Sequence, residues 1–153
     1  MTTNELCITQ FISAKPATVW QIMTGQLESW WCPKPWRVQI DAIDWRAGGA
    51  FNTTMHGPEG EEIPGIGVLL EVTPGKRLVF TDALDSDWQP KEAFMVGMME
   101  IAAEGNGTRY TARARHWNEK DRIQHVSMGF TEGWQTVARQ LAHLAEQADG
   151  GLA

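Results

Sequence analysis

The chain has 153 residues, 42% of them hydrophobic and 21% charged, and carries a formal net charge of −6. This length and mixture fit one domain with its own core (residues 1–153) and exclude a disordered chain, which would lack enough apolar surface to bury. The negative balance argues against nucleic acid as a partner, because phosphates need a surplus of Lys and Arg, and no apolar run approaches the roughly 18 residues of a membrane span.

Leu6 to Ser13 reads as a first strand, carrying the β-formers Ile8, Thr9, Phe11 and Ile12. Pro16 suits the first position of a helix, where its missing N–H costs nothing, and Val19, Trp20 and Met23 give that short helix one apolar face. A second short turn around Leu27 to Trp31 stops at Cys32-Pro33-Lys34-Pro35, since two prolines forbid continuation.

From Val38 to His116 the pattern is that of strands. Val38–Trp45 and Ala50–His56 flank a tight turn at Gly48-Gly49. Ile63–Val72 and Arg77–Asp82 flank Thr73-Pro74-Gly75-Lys76, with Pro and Gly at the two centres of a type II turn. Ala93–Ala103 and Thr108–His116 flank Glu104-Gly105-Asn106-Gly107, again hairpin chemistry. Consecutive hairpins make an antiparallel meander. Arg109, Arg113 and Arg115 alternate on one side of the last strand and read as a solvated outer face.

The final segment is helical. Ile123, Val126, Phe130, Trp134, Val137, Leu141 and Leu144 recur at helical spacing as one stripe, with Asn118 as the cap and Gly150-Gly151 past the end. Some 25 residues predict a rod of roughly 37 Å that crosses the whole sheet. Gly129 and Gly133 each cost it about 1 kcal/mol of helix propensity, so either the backbone approaches the sheet closely or space is kept for a ligand. The sum is an α+β chain: a curved antiparallel sheet of about seven strands, two short helices after the first strand, and a long last helix covering one face.

Five patches, in order, resemble a known family. Val19-Trp20 with Trp30-Trp31-Cys32-Pro33 is similar to the helix and "WW-x-P" opening of the domain named after the activator of the ninety-kilodalton heat-shock protein's ATPase. Asp44 to Phe51 resembles its "D-x-R-x-G-G-x-F" hairpin, and Glu71 to Thr81 its "E-x-x-P-x-x-R-L-V-F-T" segment. Gly105 to Arg109 and the pair Gly129-Phe130, Gly133-Trp134 resemble the remaining two motifs. The resemblance implies the START-like, or SRPBCC, helix-grip fold, with a cavity between sheet and helix. Its relatives include lipid binders, ligand carriers and polyketide cyclases. In the eukaryotic co-chaperones a separate chaperone-binding domain comes first; here nothing precedes the first strand, which sets chaperone activation behind the other functions.

Strand parity sorts the residues facing that cavity. The inward set is Phe51, Thr53 and Met55; Leu78 and Phe80; Met95, Gly97 and Met99; and Tyr110, Ala112 and Ala114. Phe130, Trp134 and Val137 face them from the helix. Gly97, Ala112 and Ala114 are small and the methionines adaptable, so this face suits a ligand-sized hollow; the simpler alternative is that Phe130 and Trp134 fill it. Trp30, Trp31 and Trp88 are expected at the mouth, with the acidic loop Asp85–Pro90 beside it.

Asp82 and His116 are in phase with the pocket and near strand ends. They are candidates for orienting a polar head or for acid and base work, with Tyr110 as a third; the simpler reading is that each caps a strand end in contact with water. Neither Cys7 nor Cys32 sits in a metal-spaced pair, the four histidines are scattered, and phosphate-loop and nucleophile motifs are lacking. No metal or cofactor is therefore expected, and Cys32 reads as packed. The start lacks a leader pattern, so a cytoplasmic setting is expected. Three functions follow in order: a binding protein for a small apolar or aromatic molecule, without membrane insertion; a cyclase- or hydrolase-like enzyme using the same pocket; and an interaction module, either a chaperone partner or a homodimer.

Overall fold

A computed structural model describes residues 4–150 of the chain. The first strand β1 (Glu5–Ile12) leads into α1 (Pro16–Gly25), with Pro16 in its first turn, and α2 (Leu27–Trp30). Six strands follow: β2 (Arg37–Ile43), β3 (Ala50–His56), β4 (Glu62–Thr73), β5 (Arg77–Thr81), β6 (Met95–Glu104) and β7 (Gly107–His116). They form one antiparallel sheet in the order β1-β7-β6-β5-β4-β3-β2, the expected meander closed on one side by the first strand. The Thr73–Lys76 turn has the predicted chemistry: Lys76 N–H donates to the Thr73 carbonyl at 2.9 Å and Gly75 takes φ +75°.

Two features bend and open this sheet. The register shifts between Leu69 and Glu71 against β5, and between Ile40 and Ala42 against β3, and such bulges add local twist. In addition, β5 is short. It pairs with β4 only from Val68 to Thr73, so the stretch Glu62–Gly67 of β4 is paired on its β3 side alone. The sheet splays there.

The last helix departs from expectation. Instead of one rod starting at Asn118, the chain forms α3 (Glu119–Ser127) and α4 (Phe130–Gly150). Asn118 does cap, its Oδ1 accepting from Asp121 N–H at 2.8 Å, but it caps the short helix. Gly129 takes φ +87°, a left-handed conformation that ends α3, and its N–H donates to the Val126 carbonyl. The redirected axis breaks the stripe: Ile123 and Val126 are 51% and 49% exposed, while Phe130, Val137 and Leu141 are buried. α4 alone is the covering rod, about 32 Å long over its 21 residues. It ends at Gly150; Gly151 lies outside the described residues.

The core fills one half of the groove. Ile8, Ile12, Leu78, Met99, Ile101 and Tyr110 pack against Val19, Met23, Leu27 and Trp30 of the short helices and Ala138, Leu141 and Ala145 of α4. The other sheet face carries the arginines. Arg113 pairs with Glu100 at 2.7 Å and Glu5 at 3.1 Å, Arg115 with Glu5 at 2.9 Å, and Arg109 with Glu104. Each such half-exposed pair adds at most about 1 kcal/mol. This is the solvated outer face anticipated for them.

Candidate ligand cavity

Where the sheet splays, a cavity of about 520 Å³ lies between β3–β5 and the α3–α4 junction. Its floor is a set of cross-strand pairs on one face: Phe51 opposite Gly67, Thr53 opposite Gly65, and Met55 opposite Ile63. Phe80 and Thr81 of β5, then Asp82, Phe94 and Met95, close one side. The roof is Met128, Gly129, Phe130, Gly133, Trp134 and Val137, and Trp31 and Pro33 close the end nearest the core.

The hollow has a local cause in glycine. A Cβ added at Gly133 would meet nothing within 4 Å, and one at Gly65 would make only ordinary contact with Thr53 Oγ1 at 3.6 Å. Phe130, Gly133 and Val137 follow at i, i+3 and i+7, one face of α4, so the missing side chain at Gly133 opens space over the floor. Gly67 is different, because a Cβ there would lie 2.4 Å from the Thr81 carbonyl oxygen; it lets β4 approach the end of β5.

Aromatic rings set the walls. Trp31 touches Phe80, Phe51 and Trp134 at centroid distances of 5.8, 6.1 and 6.2 Å, mostly edge to face, and Phe130 lies 4.6 Å from Trp134. Such pairs are each worth about 0.5–1.5 kcal/mol beyond their burial, so the walls hold their shape without a ligand.

Of the fourteen residues expected around a pocket, Phe51, Thr53, Met55, Phe80, Met95, Phe130, Trp134 and Val137 line this cavity. Leu78, Gly97, Met99, Tyr110, Ala112 and Ala114 do not; they are buried in the filled half. At Gly97 the reason is its cross-strand partner: the Phe80 ring of β5 occupies the space above it, where a Cβ would stand 2.3 Å from Cζ. Of the expected mouth residues, only Trp31 belongs to the cavity. Trp30 is fully buried against Tyr110, with ring centroids 6.2 Å apart, and Trp88, 59% exposed, lies over Gly48 away from the opening. Ile63, Ile66 and Met128 rim the mouth instead, all three exposed.

The three candidate acid–base residues are not brought together. Asp82 lines the cavity, and its Oδ1 accepts from the N–H groups of Phe94 and Met95 at 3.0 and 3.2 Å, tying the start of β6 to the end of β5. Tyr110 is sealed in the core with no hydrogen-bond partner among the described residues, and burial pushes its hydroxyl far above the usual phenol range. His116 is buried as well, rather than wet at a strand end. Its Nδ1 lies 3.0 Å from the Asn4 carbonyl, and its Nε2 lies 2.9 Å from Nδ1 of His125.

His125 is the residue that sequence reasoning undervalued. It is 7% exposed, lines the cavity, and is ringed by Phe94, Phe130 and Trp134 at 5.1, 4.9 and 5.8 Å. Burial, and secondarily the neighbouring His116, lowers its pKa to about 4. Reading Gly129 as a helix stop would have exposed it, since a helix capped by Asn118 and ended there turns His125 inward and Ile123 outward. Cys32 is buried, which raises its thiol pKa and fits a packed role. Among the described residues no group of three metal-ligating side chains occurs and no helix is long and apolar enough to cross a membrane.

The same architecture recurs in solved structures. A protein from Nitrosomonas europaea is 38% identical with a TM-score of 0.89, the match covering 95% of this chain and 96% of that one. A protein from Mycobacterium smegmatis is 27% identical over 93% and 90% of the two chains, with a TM-score of 0.78. The AHSA1 protein from Silicibacter pomeroyi shares the fold at 22% identity and a TM-score of 0.68, over 91% and 95%. No curated protein matches. The family described as Activator of Hsp90 ATPase homolog 1-like protein matches residues 13–146. With the START-like architecture, the resemblance of the five sequence patches and this match in agreement, the chain belongs to that family.

Proposed function

We propose that this protein binds a small apolar or aromatic molecule in the cavity beneath the α3–α4 junction. The observation that carries the reading is the hollow itself: about 520 Å³ with aromatic and Met walls, kept open by Gly65 and Gly133. That volume lies within the usual range for small-molecule sites, and so does the chemistry of a mostly apolar lining with few polar groups. A ligand burying about 300 Å² of apolar surface gains roughly 7 kcal/mol at 25 cal/mol per Å², enough for micromolar affinity if ordering costs stay small. Membership of a fold family that includes ligand carriers agrees with it.

A cyclase- or hydrolase-like activity draws less support. Tyr110 is remote from the cavity and His116 stands behind His125, so the group of three that would run acid–base chemistry is not assembled. The binding reading is tested by titrating the protein with a panel of neutral aromatic compounds, following tryptophan fluorescence and native mass spectra. Trp31 and Trp134 border the cavity, so binders change the emission and appear as one-to-one complexes. If no compound binds up to its solubility, the reading is wrong.

A further inference from the structure

The imidazole pair at the cavity's end constrains which ligand fits, an inference that rests on the binding reading above. The Asn4 carbonyl can only accept, so Nδ1 of His116 carries the hydrogen of their 3.0 Å contact. In an uncharged ring the other nitrogen, Nε2, is then a bare lone pair. The 2.9 Å contact to His125 consequently takes its hydrogen from Nδ1 of His125. By the same logic Nε2 of His125 is left as a lone pair. It makes no hydrogen bond to a described residue, and it is not among the sealed, unpartnered atoms, which are Trp30 Nε1, Tyr110 OH and Arg122 Nε. It belongs to a residue that lines the cavity.

The wall's other polar side chains are Asp82, Thr53, Thr81 and the indoles of Trp31 and Trp134, whose Nε1–H groups are donors with no hydrogen bond to a described residue. Asp82 is an acceptor whose Oδ1 is engaged, leaving Oδ2. Thr53 contributes a hydroxyl that suits either role. No Lys or Arg lines the cavity among the described residues. An anionic head, such as a carboxylate, would face a carboxylate and a lone pair with no cation to offset them. A hydroxyl donor meets an acceptor held in place by a two-bond relay anchored on the backbone.

We infer that the ligand is a neutral aromatic or aliphatic molecule bearing a hydroxyl group, and that His125 selects it by accepting that hydroxyl's hydrogen at Nε2. His116 is the positioning residue, fixing the tautomer of His125 without touching the ligand.

Three probes of one shape test this: 2-naphthol, 2-methoxynaphthalene and 2-naphthoate, titrated into the full chain at pH 7.5 and followed by NMR. The naphthol should bind about five- to tenfold more tightly than the methoxy compound, the size of one hydrogen bond to a positioned acceptor, and the naphthoate most weakly. In His125→Phe the naphthol loses its advantage over the methoxy compound. Long-range proton–nitrogen spectra of the unsubstituted protein give a readout that needs no variant: both rings should carry their hydrogen on Nδ1. If neither neutral probe binds, the binding reading falls and this one with it. If both bind alike, if naphthoate binds best, if the preference survives in His125→Phe, or if the His125 hydrogen sits on Nε2, donor selection alone is overturned.

Discussion

The two halves of the groove are built on one face of one sheet under one helix, yet one is solid and the other hollow. In the solid half, β1, β6 and β7 present Ile8, Met99, Ile101, Tyr110, Ala112 and Ala114, all buried under α1, α2 and the middle of α4. In the hollow half, β3 to β5 present Phe51, Thr53, Met55, Gly65 and Phe80 to the α3–α4 junction, with about 520 Å³ between. Both halves contain small residues. What separates them is what stands opposite: Gly97 faces the Phe80 ring, whereas Gly133 faces open space. Small side chains make a cavity only where no large partner reaches into them.

Four perturbations sharpen or break that contrast, from the largest effect to the smallest. Met99 and Met95 lie on the same face of β6, but Met99 is fully buried and Met95 borders the cavity. Met99→Ala should cost about 2–5 kcal/mol in denaturant unfolding and Met95→Ala about 1 kcal/mol or less, because the second removes atoms from a wall that is already open. Equal losses would mean the halves are packed alike.

Acid should weaken the hollow half first. The folded pKa of His125 is about 4 against 6.5 unfolded, so above pH 6.5 the neutral ring costs nothing. Between 6.5 and 4 the unfolded chain binds the proton first, and stability falls as pH falls, by about 2–3 kcal/mol across the window. In His125→Phe the pH dependence of unfolding over that window should be correspondingly shallower; an unchanged slope would show that His125 is not desolvated.

Glycine substitutions give the third contrast. Gly97→Ala drives a Cβ into the Phe80 ring and should destabilise by about 1–3 kcal/mol, whereas Gly133→Ala adds helix propensity in free space and should stabilise by up to about 1 kcal/mol. The thermal midpoints should move in opposite directions. Smallest of all is Tyr110→Phe, which removes a hydroxyl that has no partner among the described residues. Its stability should change by less than about 1 kcal/mol and its ligand affinity not at all, since Tyr110 does not line the cavity.

Much of this architecture was legible before any coordinates. Pro16, the turn at Pro74-Gly75 and the alternation of Arg109, Arg113 and Arg115 speak through local rules, and local rules set strands, turns and faces. The break between α3 and α4 was not, because an apolar stripe continues across Gly129 at helical spacing, and periodicity cannot register a left-handed residue that redirects the axis. The site was legible in part. Parity put Phe51, Thr53, Met55, Phe80 and Met95 on the inner face, where they line the cavity. It put Gly97, Ala112 and Ala114 there too, but whether a small residue is covered depends on where its neighbours' side chains lie, as with the cross-strand Phe80 ring over Gly97. The glycines at 65 and 67, alternating through β4, were the signal available in Ile63-Pro64-Gly65-Ile66-Gly67.

The most direct measurement fills the space and asks whether binding goes with it. Gly133→Leu adds a side chain at a cavity-lining position of α4 where a Cβ meets nothing within 4 Å. With the fold verified by circular dichroism, affinity for 2-naphthol should drop at least about tenfold, equivalent to about 1.4 kcal/mol. A folded Gly133→Leu protein that binds 2-naphthol as tightly as the unsubstituted chain would contradict the account, because the ligand would then sit elsewhere.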